Sequence, residues 1–458
     1  MGSEWSTSKL LDHYEIRSGL SKPAEDFGTG YPFLTFKDVF YNYFIPDKLG
    51  DLVKSSDKER LNCSVERGDV FLTRTSETMN ELGMSCVSLK SYKDATFNGF
   101  CKRLRPKLET ELVPEYVGYY LRSPTFRQSM LSFSTMSTRA SLNNEMIGKL
   151  EISYPSKLEQ TKIAKVLKDL DNKITLNREI NQTLEKMAQA LFKSWFSDFD
   201  PVIDNALDAD NPIPDALAER AVLRQTARVS DDFQPLPDYI RQLFPSEFEE
   251  SELGWVPKGW ENSSVEDELS VKGGSTPSTK NPEFWDDGYI HWTSPKDLSG
   301  NSSKIILDTD RKITEAGLEK ITSGLLPENT VLMSSRAPVG YLAISKIPIA
   351  INQGYIAIPE TKRLSQEFVI YWLDSIMEEV KSISGGTTFA EISKKTFRSI
   401  KMVVPDKMIV DAFSSLCANY LDKVTLNIEE NNSLSELRDK LLPKLISGEL
   451  ELNCDGLQ

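Results

Sequence analysis

Histidine is nearly missing from this chain of 458 residues: His13 and His291 are the only two. That shortage argues against most histidine-based metal sites and acid–base triads. Cysteine is scarce as well. The five present (Cys63, Cys86, Cys101, Cys417, Cys454) are odd in number, widely spaced and without a CxxC pair, so neither a disulfide framework nor a zinc site is indicated. A reducing cytoplasm is the simplest home. Long apolar runs are also missing: no window approaches about 18 uninterrupted apolar residues. The opening MGSEWSTSKLLDHYE has no basic start followed by an apolar stretch. The chain therefore reads as soluble, not secreted and without a membrane partner.

Motifs of nucleotide chemistry are lacking too. No GxxxxGK[ST] phosphate loop occurs. NPEF at Asn281–Phe284 lacks the second proline of an adenine-methyltransferase NPPF motif, and FGTG at Phe27–Gly30 is a lone GxG outside any βαβ setting. Catalysis and cofactor binding by this chain are not expected. Positive charge is outweighed overall, with a net charge of −14. The deficit is concentrated, however: residues 196–262 alone sum to about −10, so the whole-chain value says little about the larger segments on either side.

What the sequence does contain is a duplication. Ala140 to Leu191 aligns without a gap with Ala390 to Leu441, at an offset of about 250 residues. Leu142 meets Ile392, Pro155 meets Pro405, and the TLN of Thr175–Asn177 meets that of Thr425–Asn427. Upstream, with small insertions, EYVGYYL (Glu115–Leu121) parallels EFVIYWL (Glu367–Leu373), and VFLTR (Val70–Arg74) parallels VLMSSR (Val331–Arg336). FNGF (Phe97–Phe100) parallels INQGY (Ile351–Tyr355), and Gly19 parallels Gly274. Five segments follow: a globular domain at 1–155, a long helix at 156–196, an acidic, proline-containing connector at 197–258, a second domain at 259–405, and a second helix with a tail at 406–458.

Short β-rich runs (Asp69–Thr73, Glu151–Tyr154, Thr330–Met333, Ile349–Ile358, Ile400–Val404) separated by Gly, Asn and Pro turns predict α+β domains with a mainly antiparallel sheet. One helix in each is expected at Pro114–Ser123 and Ser365–Val380. The connector reads as extended, with one short helix at Asp215–Arg228.

In the first long helix Ile163, Leu167, Leu170, Ile174, Asn177, Asn181, Leu184, Ala188, Leu191 and Trp195 step by four and three without a break, the signature of a coiled-coil seam. Phe413, Cys417, Tyr420, Val424, Asn427, Asn431, Leu434 and Leu441 repeat it, interrupted at Arg438, where Leu437 and Leu445 are expected to take over. Antiparallel packing about a pseudo-twofold axis would set Asn177 opposite Asn431 and Asn181 opposite Asn427. Outward helix positions such as Lys165, Lys173, Arg178, Glu185, Glu429 and Glu436 would face partners. Two related heads would then stand apart on a rigid spacer of roughly 50 Å.

A duplex read at two half-sites needs such an arrangement, because major-groove faces recur about every 34–36 Å. Cations and amides able to contact phosphate, guanine or adenine recur in both heads. Direct DNA contact is expected near Lys37, Arg74, Asn98, Arg105 and Arg139 in the first, and near Trp292, Lys296, Arg336, Asn352, Gln353, Thr387 and Thr388 in the second. The residues alone leave open a noncatalytic two-headed protein–protein scaffold.

The chain resembles the specificity (S) subunits of type I restriction–modification enzymes over essentially its whole length. The resemblance is carried by LEQTKIAKVLKDLDNKITLN (Leu158–Asn177), ALFKSWFSDFDPV (Ala190–Val202), SELGWVPKGW (Ser251–Trp260), GGSTPS (Gly273–Ser278) and KLLPKLISGEL (Lys440–Leu450). It implies a noncatalytic reader of double-stranded DNA in which each domain recognises half of an asymmetric bipartite site. The helices would set the spacer and dock two methyltransferase (M) subunits, and motor-nuclease (R) subunits would complete the restriction enzyme. S-adenosylmethionine, ATP and Mg²⁺ would be cofactors of those partners and not of this chain.

Overall fold

The computed structural model describes residues 5–76, 81–132, 140–300, 303–336, 338–386 and 390–452. The fold is α+β and consists of two compact units, Met1–Thr175 with Glu430–Gln458, and Leu176–Glu429. Their limits do not follow the linear segments. Each unit takes one head together with part of each long helix.

In the first unit, strands Tyr14–Ser18, Cys101–Pro106, Val70–Thr73 and Ser85–Val87 form an antiparallel sheet in that order. A second sheet joins Asp51–Val53, Phe27–Leu34 and Thr96–Phe97, the last pair in parallel. Strand alternation places Val70 and Leu72 in one core and Phe71 in another, so both faces of this strand are covered. The second unit repeats the device: Val331 and Met333 join one core and Leu332 the other. Its sheets run Leu269–Lys272, Tyr355–Thr361, Val331–Ser334, Leu342–Ser345, Ile305–Ile306, and separately Arg311–Ile313, Ile290–Thr293, Ala350–Ile351. The helices expected in the heads occupy Pro114–Tyr120 followed by Pro124–Ser132, and Gln366–Ser375 followed by Met377–Ser382.

The long helices, Lys157–Phe192 and Lys407–Ser447, pack together with opposite chain directions. In the first unit Ile163 and Leu167 share a core with Leu442 and Leu445. Arg438 there does not break the seam. Its guanidinium bonds Asp171 at 2.7 Å, Asp171 also accepts the Tyr119 hydroxyl at 2.7 Å, and Leu437 is left exposed. In the second unit Ala188 and Phe192 share a core with Phe413, Cys417, Leu421 and Val424. Phe192, Trp195, Phe196, Phe368 and Phe413 form an aromatic knot there, with Phe196 and Phe368 centroids 4.9 Å apart. Each buried ring of this kind contributes about 1.5–3 kcal/mol by area alone. Asn177 and Asn181 are buried in this unit, and Asn427 donates to Asn181 at 2.7 Å. Asn431 falls in the first unit.

The connector has the helix expected at Asp215–Arg228, but the rest departs from the expected extended chain. It folds into helices Asp200–Asp208, Ala218–Arg228 and Asp238–Arg241 and a hairpin of Phe248–Ser251 with Gly254–Pro257. The cause is charge in register. Asp200, Asp204 and Asp208 recur every fourth residue and face Arg220, Arg224 and Arg228, giving three ion-paired rungs. Arg241 pairs with Asp208 as well. Bidentate Arg–carboxylate geometry on Asp200 and Asp204 adds direction to the attraction. No helix among the described residues is long and apolar enough to cross a membrane.

Candidate nucleic-acid interface

Both heads build the same corner. In the first unit a capping box between Thr35 and Asp38 starts the helix Phe36–Tyr41, which carries Lys37 into solvent. In the second unit Ser294 and Asp297 form the equivalent box, starting Pro295–Leu298 and exposing Lys296. The residue preceding each box accepts a main-chain bond from an asparagine. Asn98 N–H donates to Leu34 O, and Asn352 N–H donates to Thr293 O, both at 3.0 Å.

Each asparagine then closes a turn with its side chain. Asn98 Oδ1 accepts from Phe100 N–H, and Asn352 Oδ1 from Gly354 N–H, both at 2.8 Å. Such Asx turns fix the amide while leaving its donor end pointing away from the turn. Glycine is required beneath the corner. A Cβ on Gly19 would lie 2.4 Å from the carbonyls of Phe97 and Asn98, and one on Gly274 would lie 1.8 Å from that of Ile351. The recurrence of these two glycines in the repeat has a steric cause.

The neighbouring strand completes the corner. Arg74 N–H donates to Phe100 O and Ser335 N–H to Gly354 O, while Leu142 N–H reaches Arg74 O and Ile392 N–H reaches Ser335 O. Arg74 is therefore the counterpart of Ser335. The side-chain bonds Thr73 Oγ1 to Met84 N–H and Ser334 Oγ to Tyr341 N–H, both 2.8 Å, fix the same register. Arg336, matched with Arg74 in the sequence alignment, sits one residue further along, paired with Glu391 in the ladder. A shift of one residue sends its side chain to the other face.

Lys37, Arg74 and Asn98 thus gather at one corner, and Lys296, Asn352 and Gln353 at the other. Arg74 is exposed. Its charge adds to burial in pushing the Lys102 ammonium below its ordinary range, with burial the larger cause. Gln353 is exposed and its Oε1 accepts from Thr276 Oγ1 at 2.7 Å. Two residues expected to contact DNA have their side chains engaged within the protein. Arg105 is a brace: it bonds buried Asp69 through Nε and Nη2 and Glu66 through Nη1 at 2.6–2.8 Å, so its fork is consumed within the protein. Trp292 is a core aromatic, 5% exposed, donating to Ser275 O at 3.3 Å. Arg139, Thr387 and Thr388 lie outside the described residues.

Glu185, expected to face partners, instead joins helix to head. Its carboxylate pairs with Lys304 and accepts from the Tyr371 hydroxyl at 3.2 Å and from Gln189 at 3.1 Å. Gln189 reaches on to Asp374, which also pairs with Lys304. Burial is the main cause holding the Tyr371 hydroxyl far above its usual range, with Glu185 adding to it. Among the described residues no group of His, Cys, Asp or Glu is arranged to hold a metal ion.

A family profile described as "Type I restriction modification DNA specificity domain" matches residues 2–186 and 257–434. The chain is 31% identical over 360 residues to the type I restriction enzyme HindI specificity subunit of Haemophilus influenzae, covering 74% of this chain and 78% of that protein. It is 23% identical over 459 residues to the putative type I restriction enzyme MjaX specificity subunit of Methanocaldococcus jannaschii, covering 98% and 94%. Its fold is similar to the crystal structure of a type I restriction–modification system S subunit from M. genitalium, with a TM-score of 0.54, 14% identity, and 97% and 96% of the two chains covered.

Proposed function

The chain belongs to the type I restriction–modification DNA specificity family, and from that premise we propose that its two heads each read one half of an asymmetric bipartite site in double-stranded DNA. As a member it is a DNA specificity subunit, noncatalytic and without a cofactor of its own. The observation that carries the finer reading is the corner built twice. An exposed lysine on a capped helix stands beside an asparagine locked by its own turn, and this occurs in both heads with different flanking residues. Shared geometry suits a shared target, a duplex backbone, and unlike flanks suit unlike base sequences.

Lys37 and Lys296 fit phosphate, Arg74 a phosphate or guanine, and Asn98, Asn352 and Gln353 the major-groove edge of adenine. Arg336 is assigned to the rim of the second corner. Residues 1–155 and 259–405 are the readers, 156–196 and 406–458 the spacer, and 197–258 the connector that joins the first helix to the second reader. The helices set the separation of the half-sites and dock two methyltransferase subunits. Motor-nuclease subunits join for restriction, with S-adenosylmethionine, ATP and Mg²⁺ held by those partners in the cytoplasm. Mapping N6-methyladenine genome-wide in cells with and without this chain tests the proposal. A bipartite motif that vanishes with the chain supports it, and an unchanged methylome contradicts it.

A further inference from the structure

The second head holds an arginine that neither the repeat nor the motifs single out. Arg311 opens the edge strand Arg311–Ile313 and lies directly across the ladder from Trp292. Its guanidinium carbon rests 3.4 Å above the centroid of the Trp285 ring and 5.6 Å from that of Trp292. The two indoles meet edge to face at 5.1 Å. Each is fixed by its own N–H, Trp285 to Ser278 O at 3.0 Å and Trp292 to Ser275 O at 3.3 Å. The platform is rigid, and the cation on it is exposed.

No carboxylate among the described residues takes that cation. Asp308, close by in sequence, is engaged by His291 at 3.2 Å and Lys312 at 3.3 Å. Five other arginines of this unit are spent internally: Arg220, Arg224, Arg228 and Arg241 on aspartates, and Arg363 on Glu268. The first head offers a contrast. There Arg60 lies 3.7 Å over the Tyr31 ring but is neutralised by Asp57 and Asp94.

Arg311 also belongs to the corner already described. Asp310 N–H donates to Asp297 Oδ1 at 3.1 Å, tying the start of its strand to the helix that carries Lys296. Ser275, beneath Trp292, is followed by Thr276, which holds Gln353. An arginine held over an aromatic face loses little further freedom when its planar fork meets two acceptors. The N7 and O6 atoms of guanine in the major groove present such a pair.

We propose that Arg311, presented by the Trp285–Trp292 platform, is a specificity-determining residue that reads one guanine in the half-site of the second head. This inference rests on the reading of the chain as a bipartite DNA reader. The test uses the complex of the full chain with its methyltransferase subunits, on duplexes carrying its own methylated motif. Each guanine is replaced in turn by 7-deazaguanine, which lacks N7, and wild type is compared with Arg311→Lys, which keeps the charge but not the fork.

At one guanine of one half, 7-deazaguanine is expected to weaken wild-type binding by about tenfold to a hundredfold, the range of one hydrogen bond from a charged donor. Arg311→Lys should weaken binding to the natural duplex similarly and be indifferent to 7-deazaguanine at that position alone. The methylated motif written by Arg311→Lys should relax there and nowhere else. Natural-site binding equal to wild type, penalties that add at every guanine, or a loss spread over both halves would each overturn the assignment. Failure of the wild-type complex to write any bipartite motif would instead overturn the underlying reading.

Discussion

Asn427 donates from Nδ2 to Oδ1 of Asn181 at 2.7 Å, with both side chains buried where the two long helices meet in the second unit. An amide pair in an apolar seam costs stability relative to leucine, but its hydrogen bond forms in one register and not in a slipped one. Asn181→Leu alone leaves the Asn427 amide buried without its acceptor and is expected to destabilise by about 1–3 kcal/mol. Asn427→Leu should cost a similar amount. The double variant should cost clearly less than the sum, because no polar group is then stranded. Urea denaturation of all four proteins checks this, and simple additivity would contradict it.

Ion pairs in the connector and in the second head predict an acid sensitivity. Arg228 and Arg241 beside Asp208 hold its carboxyl below the usual range, and Arg363 does the same for Glu268. A carboxyl whose folded pKa is depressed stabilises the fold above its unfolded value, about 3.9 for Asp and 4.3 for Glu. That contribution is lost as pH falls through the lowered folded value. The melting temperature should therefore drop below about pH 4. Asp208→Asn should be less stable than wild type at pH 7 and lose less on acidification. Parallel melting curves from pH 7 to pH 3 for the two proteins would contradict the assignment.

Glu185, Lys304 and Tyr371 predict a coupling of head to helix. Lys304→Met removes the cation shared by Glu185 and Asp374 and should destabilise by about 1–3 kcal/mol, since two partly buried carboxylates lose their partner. Pairing it with Glu185→Gln should recover part of that loss. If head position sets half-site separation, Lys304→Met should also accept sites whose spacer differs by one base pair. Methylation of a spacer-length series checks this, and unchanged spacer choice would contradict it.

Lys296 predicts a salt effect without a sequence effect. Its ammonium is exposed beside the capped helix start, so Lys296→Ala should weaken binding to all duplexes similarly. The slope of log affinity against log salt should fall by about 1. A variant with altered base preference and unchanged slope would contradict a phosphate contact.

The fold class was legible because its signals are local. Apolar spacing along Ile163 to Ala188 and the β-rich run at Val70–Thr73 depend only on near neighbours, and the duplication supplies each signal twice. The folded connector was readable in principle, since Asp200, Asp204 and Asp208 and Arg220, Arg224 and Arg228 keep fourth-residue spacing. Their summed charge pointed instead to an extended segment. What was hidden is nonlocal. The match of Arg74 with Ser335 rather than Arg336 is decided by the main-chain hydrogen bonds that Arg74 and Ser335 donate to the carbonyls of Phe100 and Gly354. The seat of Arg311 on Trp285 is decided by strand register across distant chain. Arg105 illustrates the converse: its residue type suits DNA, but Asp69 buried beside it takes the charge.

The most direct test of two heads reading two halves is the N6-methyladenine motif written in cells by Arg74→Gln and by Gln353→Ala, each in the full chain. Arg74→Gln should relax one half of the bipartite motif and leave the other intact, and Gln353→Ala should do the reverse. Relaxation of the same half by both substitutions, or an unchanged motif from both, would contradict the account.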